Sequence, residues 1–109
     1  MDAVDRPLHV LLAAAPEGPG VPALLEAAER ASRTGTVVRL MLTDAGLGLL
    51  GSERLDRLVG AGVRASLCSH AARVRRIDPT TVPAAVRWSS VTAFLRESDG
   101  DARLWSAWP

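Results

Sequence analysis

Short apolar runs alternate with amphipathic stretches along this sequence, and that alternation restricts the fold more than any other feature. Leu8 to Ala15, Thr36 to Leu42 and Gly62 to Leu67 have the length of strands, and residues at helical spacing lie between them. That order is the mark of repeated β-α-β units and a parallel sheet. The first run is apolar almost throughout, as expected of a strand with helices on both of its faces.

Pro16-Glu17-Gly18-Pro19-Gly20 reads as a loop, and a helix is expected from about Val21 to Arg33. Pro22 suits its first turn, Leu24, Leu25, Ala28 and Ala31 form one stripe, and Gly35 supplies a left-handed stop. The second strand ends at Thr43-Asp44-Ala45-Gly46. Ser52 can cap a helix carrying Leu55, Leu58 and Val59, with Gly60 or Gly62 ending it. A short helix, Ser69 to Arg75, follows the third strand. Asp78-Pro79-Thr80-Thr81-Val82-Pro83 is an irregular connector. Ala85 to Trp88 reads as a short edge strand, with helix as the alternative. Ser89 or Ser90 then caps a helix bearing Val91, Phe94 and Leu95, and Asp99-Gly100 turns the chain into a last strand, Ala102 to Ala107. The expectation is an α/β fold with four to five strands. No repeat, low-complexity tract or linker divides it, so residues 1–109 read as a single domain.

Composition removes several function classes. The formal net charge of +1 argues against a general attraction to nucleic acid or to a membrane surface. All thirteen basic residues are arginine, so there is no P-loop lysine and no Schiff-base lysine. Met1-Asp2-Ala3-Val4-Asp5-Arg6 carries two acids and one base, the wrong sign for a secretory leader. Leu8 to Ala15 is too short to span a bilayer. A soluble, cytoplasmic protein is expected, with no nucleic-acid or membrane partner.

The single cysteine cannot form an internal disulfide, which suits a reducing compartment. Cys68 closes the run Gly62-Val63-Arg64-Ala65-Ser66-Leu67 and precedes the polar stretch Ser69-His70-Ala71-Ala72-Arg73-Val74-Arg75-Arg76. A strand that ends in a thiol and turns into a helix aims sulfur at the helix N-terminus, where partial positive charge favours thiolate. The alternative is a small buried residue at the end of a core strand. Cys68 with His70 falls well short of a structural zinc set. On a helix, residues two apart point to nearly opposite sides, so a direct Cys68–His70 contact is not expected.

In an open parallel sheet, chemistry collects beyond the carboxyl ends of the strands. That brings together the loop after Ala15, the turn Thr43-Asp44-Ala45-Gly46, and Cys68-Ser69-His70. Arg73, Arg75 and Arg76 read as a solvated face or as an attractor for an anionic sulfur donor, with Arg75 on the side of Cys68 in a continuous helix. Gly18-Pro19-Gly20-Val21-Pro22-Ala23 formally matches G-x-G-x-x-A, and Asp44 stands where a ribose-binding acid would. Yet Pro19 and Pro22 delete amides that a pyrophosphate would need. Trp88, Trp105 and Trp108 read as core or subunit-contact residues, because no basic field surrounds a stacking platform.

The chain resembles the DsrE/DsrF-like sulfur-relay family. The resemblance runs through Ala23-Leu24-Leu25-Glu26-Ala27-Ala28, Gly35 and Val37-Val38-Arg39-Leu40-Met41-Leu42. It continues in Asp44-Ala45-Gly46 with Leu49-Leu50, in Leu58-Val59-Gly60-Ala61-Gly62-Val63, in Cys68 and in Arg75-Arg76-Ile77. Two positions depart from it: Ser69 and Arg76 stand where members often have glycine. The resemblance implies a three-layer α/β/α, flavodoxin-like architecture with a mostly parallel sheet, and a homo-oligomer. It implies also that Cys68 takes up sulfane sulfur as a persulfide and passes it on, with Asp44, Gly46, Ser69, His70 and Arg75 as supporting residues.

Sulfur transfer needs a thiolate and access for a donor, but no metal and no organic cofactor. One cysteine can carry sulfur but has no resolving thiol beside it, so donor and acceptor proteins or small thiols are the expected partners. Two rivals stand beside this reading: a non-catalytic oligomeric protein-binding module with an inert cysteine, and nucleotide binding at the first strand–helix loop.

Overall fold

A computed structural model describes residues 6–109, so the charge-based expectation for Met1 to Asp5 lies outside the described residues. Five strands form one sheet: β1 (Leu8–Leu12), β2 (Val38–Leu42), β3 (Arg64–Cys68), β4 (Arg87–Ser89) and β5 (Arg103–Ala107). Their order is β4-β3-β2-β1-β5, and each neighbouring pair is parallel. The helices are α1 (Val21–Arg33), α2 (Glu53–Gly60), α3 (Ser69–Val74) and α4 (Val91–Glu97). Short 3₁₀ turns occupy Asp44–Leu49 and Pro79–Thr81.

The strand order decides where the helices go. From β1 to β4 each new strand is added on the same side of the last. Right-handed crossovers therefore put α1, α2 and α3 on one face. The chain then crosses back over the sheet to lay β5 beside β1, which puts α4 on the opposite face. His9 of β1 meets the Phe94 ring of α4, with centroids 5.4 Å apart. Because side chains alternate along a strand, the α4 face carries His9 and Leu11, Arg39 and Met41, Arg64, Ser66 and Cys68, and Arg87 and Ser89. The α1–α3 face carries Leu8, Val10 and Leu12 with Val38, Leu40 and Leu42, all buried. Leu25 and Ala28 of α1 and Leu55 and Leu58 of α2 complete that core.

The α/β expectation holds, and the sheet is parallel throughout. Helix α1 has the expected bounds, and Ser52 caps α2 by accepting from the Leu55 amide. Gly60 is the last residue of α2, and Gly62 (φ 102°) is its left-handed stop. There the Gly62 amide donates to Val59 O and the Val63 amide to Leu58 O, which satisfies two carbonyls at the helix end. β1 is shorter than its apolar run. Beyond Leu12 the amides of Ala13 and Ala14 both donate to Ala107 O, so the chain leaves the ladder with β2 and follows the end of β5. β4 is an edge strand, two residues later than expected at its start. Ser90 rather than Ser89 caps α4, through the Ala93 amide.

Candidate functional site

Cys68 is the last residue of β3 and the N-cap of α3, and no side chain caps that helix start. Its parity in the strand turns it to the α4 face, and its register partner on β4 is Ser89. The residue is 7% exposed. Cys68 lines a cavity of about 410 Å³ together with Thr43, Asp44, His70, Val74 and the first turn of α4. Both α3 and α4 begin at this cavity, and the amides of a first helical turn carry partial positive charge. Among the described residues the Cys68 sulfur has no hydrogen-bond partner.

The supporting residues divide into two groups. Asp44 and His70 line the cavity with Cys68. Asp44 is exposed and holds a left-handed backbone (φ 49°), a conformation that aspartate tolerates better than most residues. His70 reaches the same cavity because the thiol belongs to the strand, whose direction differs from that of the helix. Gly46, Ser69 and Arg75 do not line it. A Cβ on Gly46 would lie 2.1 Å from Leu12 O, so this position needs glycine for the 3₁₀ turn to close on β1. The Ser69 hydroxyl donates to Ser89 O at 3.1 Å and ties the start of α3 to β4. Arg75 is the exposed C-cap of α3.

Sequence reasoning missed Ser90, Val91 and Thr92, which close the cavity from the α4 side. Only the strand order brings the first turn of α4 to the carboxyl end of β3, and nothing local in the sequence encodes it. Among the described residues no group of three or more His, Cys, Asp or Glu side chains is placed to hold a metal ion. No helix there is long and apolar enough to cross a membrane.

The first loop lines a different cavity, of about 510 Å³, where the strand order reverses between β1 and β5. Trp108 and Ala107 form its other side. Its amides are largely engaged: Gly18 N donates to Ala15 O and Val21 N to Gly18 O, while Pro19 and Pro22 have none. The loop makes a poor pyrophosphate cradle.

Fold and site together define an open, all-parallel α/β protein with its one thiol at the carboxyl edge of the sheet. The chain is similar in structure to the ychN protein from E. coli (TM-score 0.74, 18% identity, covering 94% of this chain and 99% of that one). It is similar also to MTH1491 from Methanobacterium thermoautotrophicum, a protein of unknown function (TM-score 0.76, 18% identity, 95% and 100% covered). At that identity the likeness is one of fold. No protein-family model and no curated protein sequence matches the chain.

Proposed function

We propose that the protein is an intracellular DsrE/DsrF-like sulfur carrier that accepts sulfane sulfur on Cys68. The observation behind this reading is the position of the thiol at the carboxyl end of β3, lining a cavity on which two helix N-termini converge. The step is an exchange without net oxidation. The Cys68 thiolate attacks the terminal sulfur of a persulfide R–S–SH, the donor S–S bond breaks, and R–S⁻ leaves as Cys68–S–SH forms. An acceptor thiolate reverses the same exchange and takes the sulfur away. A donor reaching Cys68 passes His70 and Asp44, which line the same cavity. In this reading the protein works as a homo-oligomer. Leu95, Leu104 and Trp108, which are 39%, 46% and 61% exposed, are the apolar surface a neighbouring copy would cover.

The experiment is intact-mass spectrometry after treatment with persulfide donors. Wild type should gain about 32 Da, one sulfur atom, and Cys68→Ser should gain nothing. An unmodified wild-type thiol across several donors would remove the carrier from consideration.

The burial of Cys68 favours a second reading, an inert thiol in a non-catalytic binding module. Thiol labelling of the native protein separates the two. A carrier labels rapidly well below the ordinary thiol pKa of about 8.5, whereas an inert thiol labels slowly at every pH.

A further inference from the structure

The α4 face of the sheet is only partly covered. Adjacent strands lie about 4.8 Å apart and a helix is about 10 Å across, so one helix shields about two of the five strands. The His9–Phe94 contact seats α4 near β1 and β2. The outer part of this face, over β3 and β4, stays open. A groove of about 350 Å³ lies there, with α4 as its wall through Phe94 and Glu97.

Its floor carries three arginines on three neighbouring strands. Arg39 and Arg64 are direct register partners. Arg87 pairs with Ser66, two residues beyond Arg64. With strands about 4.8 Å apart and a rise of about 3.3 Å per residue, the three Cα atoms fall within about 12 Å. All three side chains line the groove, and Glu97 is the one carboxylate that lines it with them. Among the described residues, Arg39, Arg64 and Arg87 make no hydrogen bond and no ion pair. Among the described residues two other arginines are in ion pairs, Arg30 with Glu26 and Arg33 with Glu29. Like charges side by side on a sheet repel one another. Three cations against one carboxylate leave the groove short of negative charge by two.

We propose that this groove is a binding site for a small polyanion bearing at least two oxyanion groups, phosphate or carboxylate, gripped by Arg39, Arg64 and Arg87. Guanidinium forks match both groups in bidentate geometry. The Ser89 hydroxyl lines the groove as a further donor, whereas that of Ser66 is engaged with Leu40 O at 3.2 Å, and the Phe94 ring gives the ligand an apolar side to lie against. The volume is at the small end of ligand pockets, which fits a compact metabolite rather than a folded partner. The site does not depend on sulfur chemistry at Cys68.

Isothermal titration of the intact protein with pyrophosphate and, separately, citrate tests the assignment. At least one should bind one-to-one with sub-millimolar affinity and weaken as salt is raised to about 0.15 M. Pyrophosphate binding alone assigns phosphate esters, citrate binding alone assigns polycarboxylates, and either result supports the site. Arg64→Gln/Arg87→Gln changes two exposed residues and should weaken binding at least tenfold. Arg30→Gln/Arg57→Gln, an equal charge change elsewhere, should leave it intact, as should Cys68→Ser. Absence of saturable heat from both probes up to about 10 mM overturns the proposal. So does equal affinity in the two double variants.

Discussion

Arg76 holds a left-handed backbone (φ 56°) at a position where Gly62 serves the equivalent purpose for α2. The hydrogen bonds match: Arg76 N donates to Arg73 O, and Ile77 N donates to Ala72 O. Helix α3 therefore ends in the same double-bonded stop, but with a Cβ where the geometry favours none. Replacing Arg76 with glycine removes that strain and adds some freedom to the unfolded chain, so the two effects oppose each other. The native-state term is the larger, and Arg76→Gly should stabilise the protein by about 0.5–1 kcal/mol, read as a raised midpoint in urea. Gly46 is the opposite case. The nearest atom to its missing Cβ is backbone, Leu12 O, which cannot rotate away. Gly46→Ala should cost about 3 kcal/mol or more and lower the melting temperature by roughly 10 °C or more.

At the scale of elements, α4 hangs on few contacts. Phe94 is its one buried residue, and Ser98, just past its end, joins it to β1. The Ser98 hydroxyl donates to Phe94 O at 2.9 Å, so its oxygen accepts from His9 Nδ1–H at 2.6 Å and fixes the tautomer of the imidazole. Burial holds the His9 pKa below its ordinary value, the charge of Arg39 adds to that, and Glu97 works against both. The unfolded chain consequently binds a proton at His9 before the folded protein does. Above about pH 6.5 both states are neutral there and stability is unaffected. Below it, stability falls until the depressed folded pKa is reached. Urea midpoints between about pH 7.5 and 5 should show that decline, and His9→Asn should flatten it.

The elements themselves were legible because their signals are local. The stripe of α1, the Ser52 and Ser90 caps, and the glycine stops each encode a boundary within a few residues. Strand order and register are not local. They alone decide that the first loop lines a different cavity from the one Asp44 and His70 share with Cys68, and that Arg39, Arg64 and Arg87 meet in one groove. In sequence those arginines are scattered singles separated by more than twenty residues.

For the molecule as a whole, α4 is the shared wall of two sites. Its first turn closes the Cys68 cavity, and its Phe94 and Glu97 edge forms one side of the arginine groove. The sheet beneath is rigid, with buried strands β1 and β2 at its centre. Motion that opens either site therefore falls to the helix held on by the Phe94 ring, the partly buried Val91 and one histidine bond. Trimming that ring without emptying its place weakens the docking of α4 and leaves the sheet intact. Phe94→Leu should cost about 1–1.5 kcal/mol, close to a tenfold rise in the population with α4 lifted. Native-state labelling of Cys68 should then accelerate by about tenfold in the variant, with the far-ultraviolet circular dichroism nearly unchanged. An unaltered labelling rate in a demonstrably destabilised Phe94→Leu protein would mean that the thiol is reached by a route that does not involve α4.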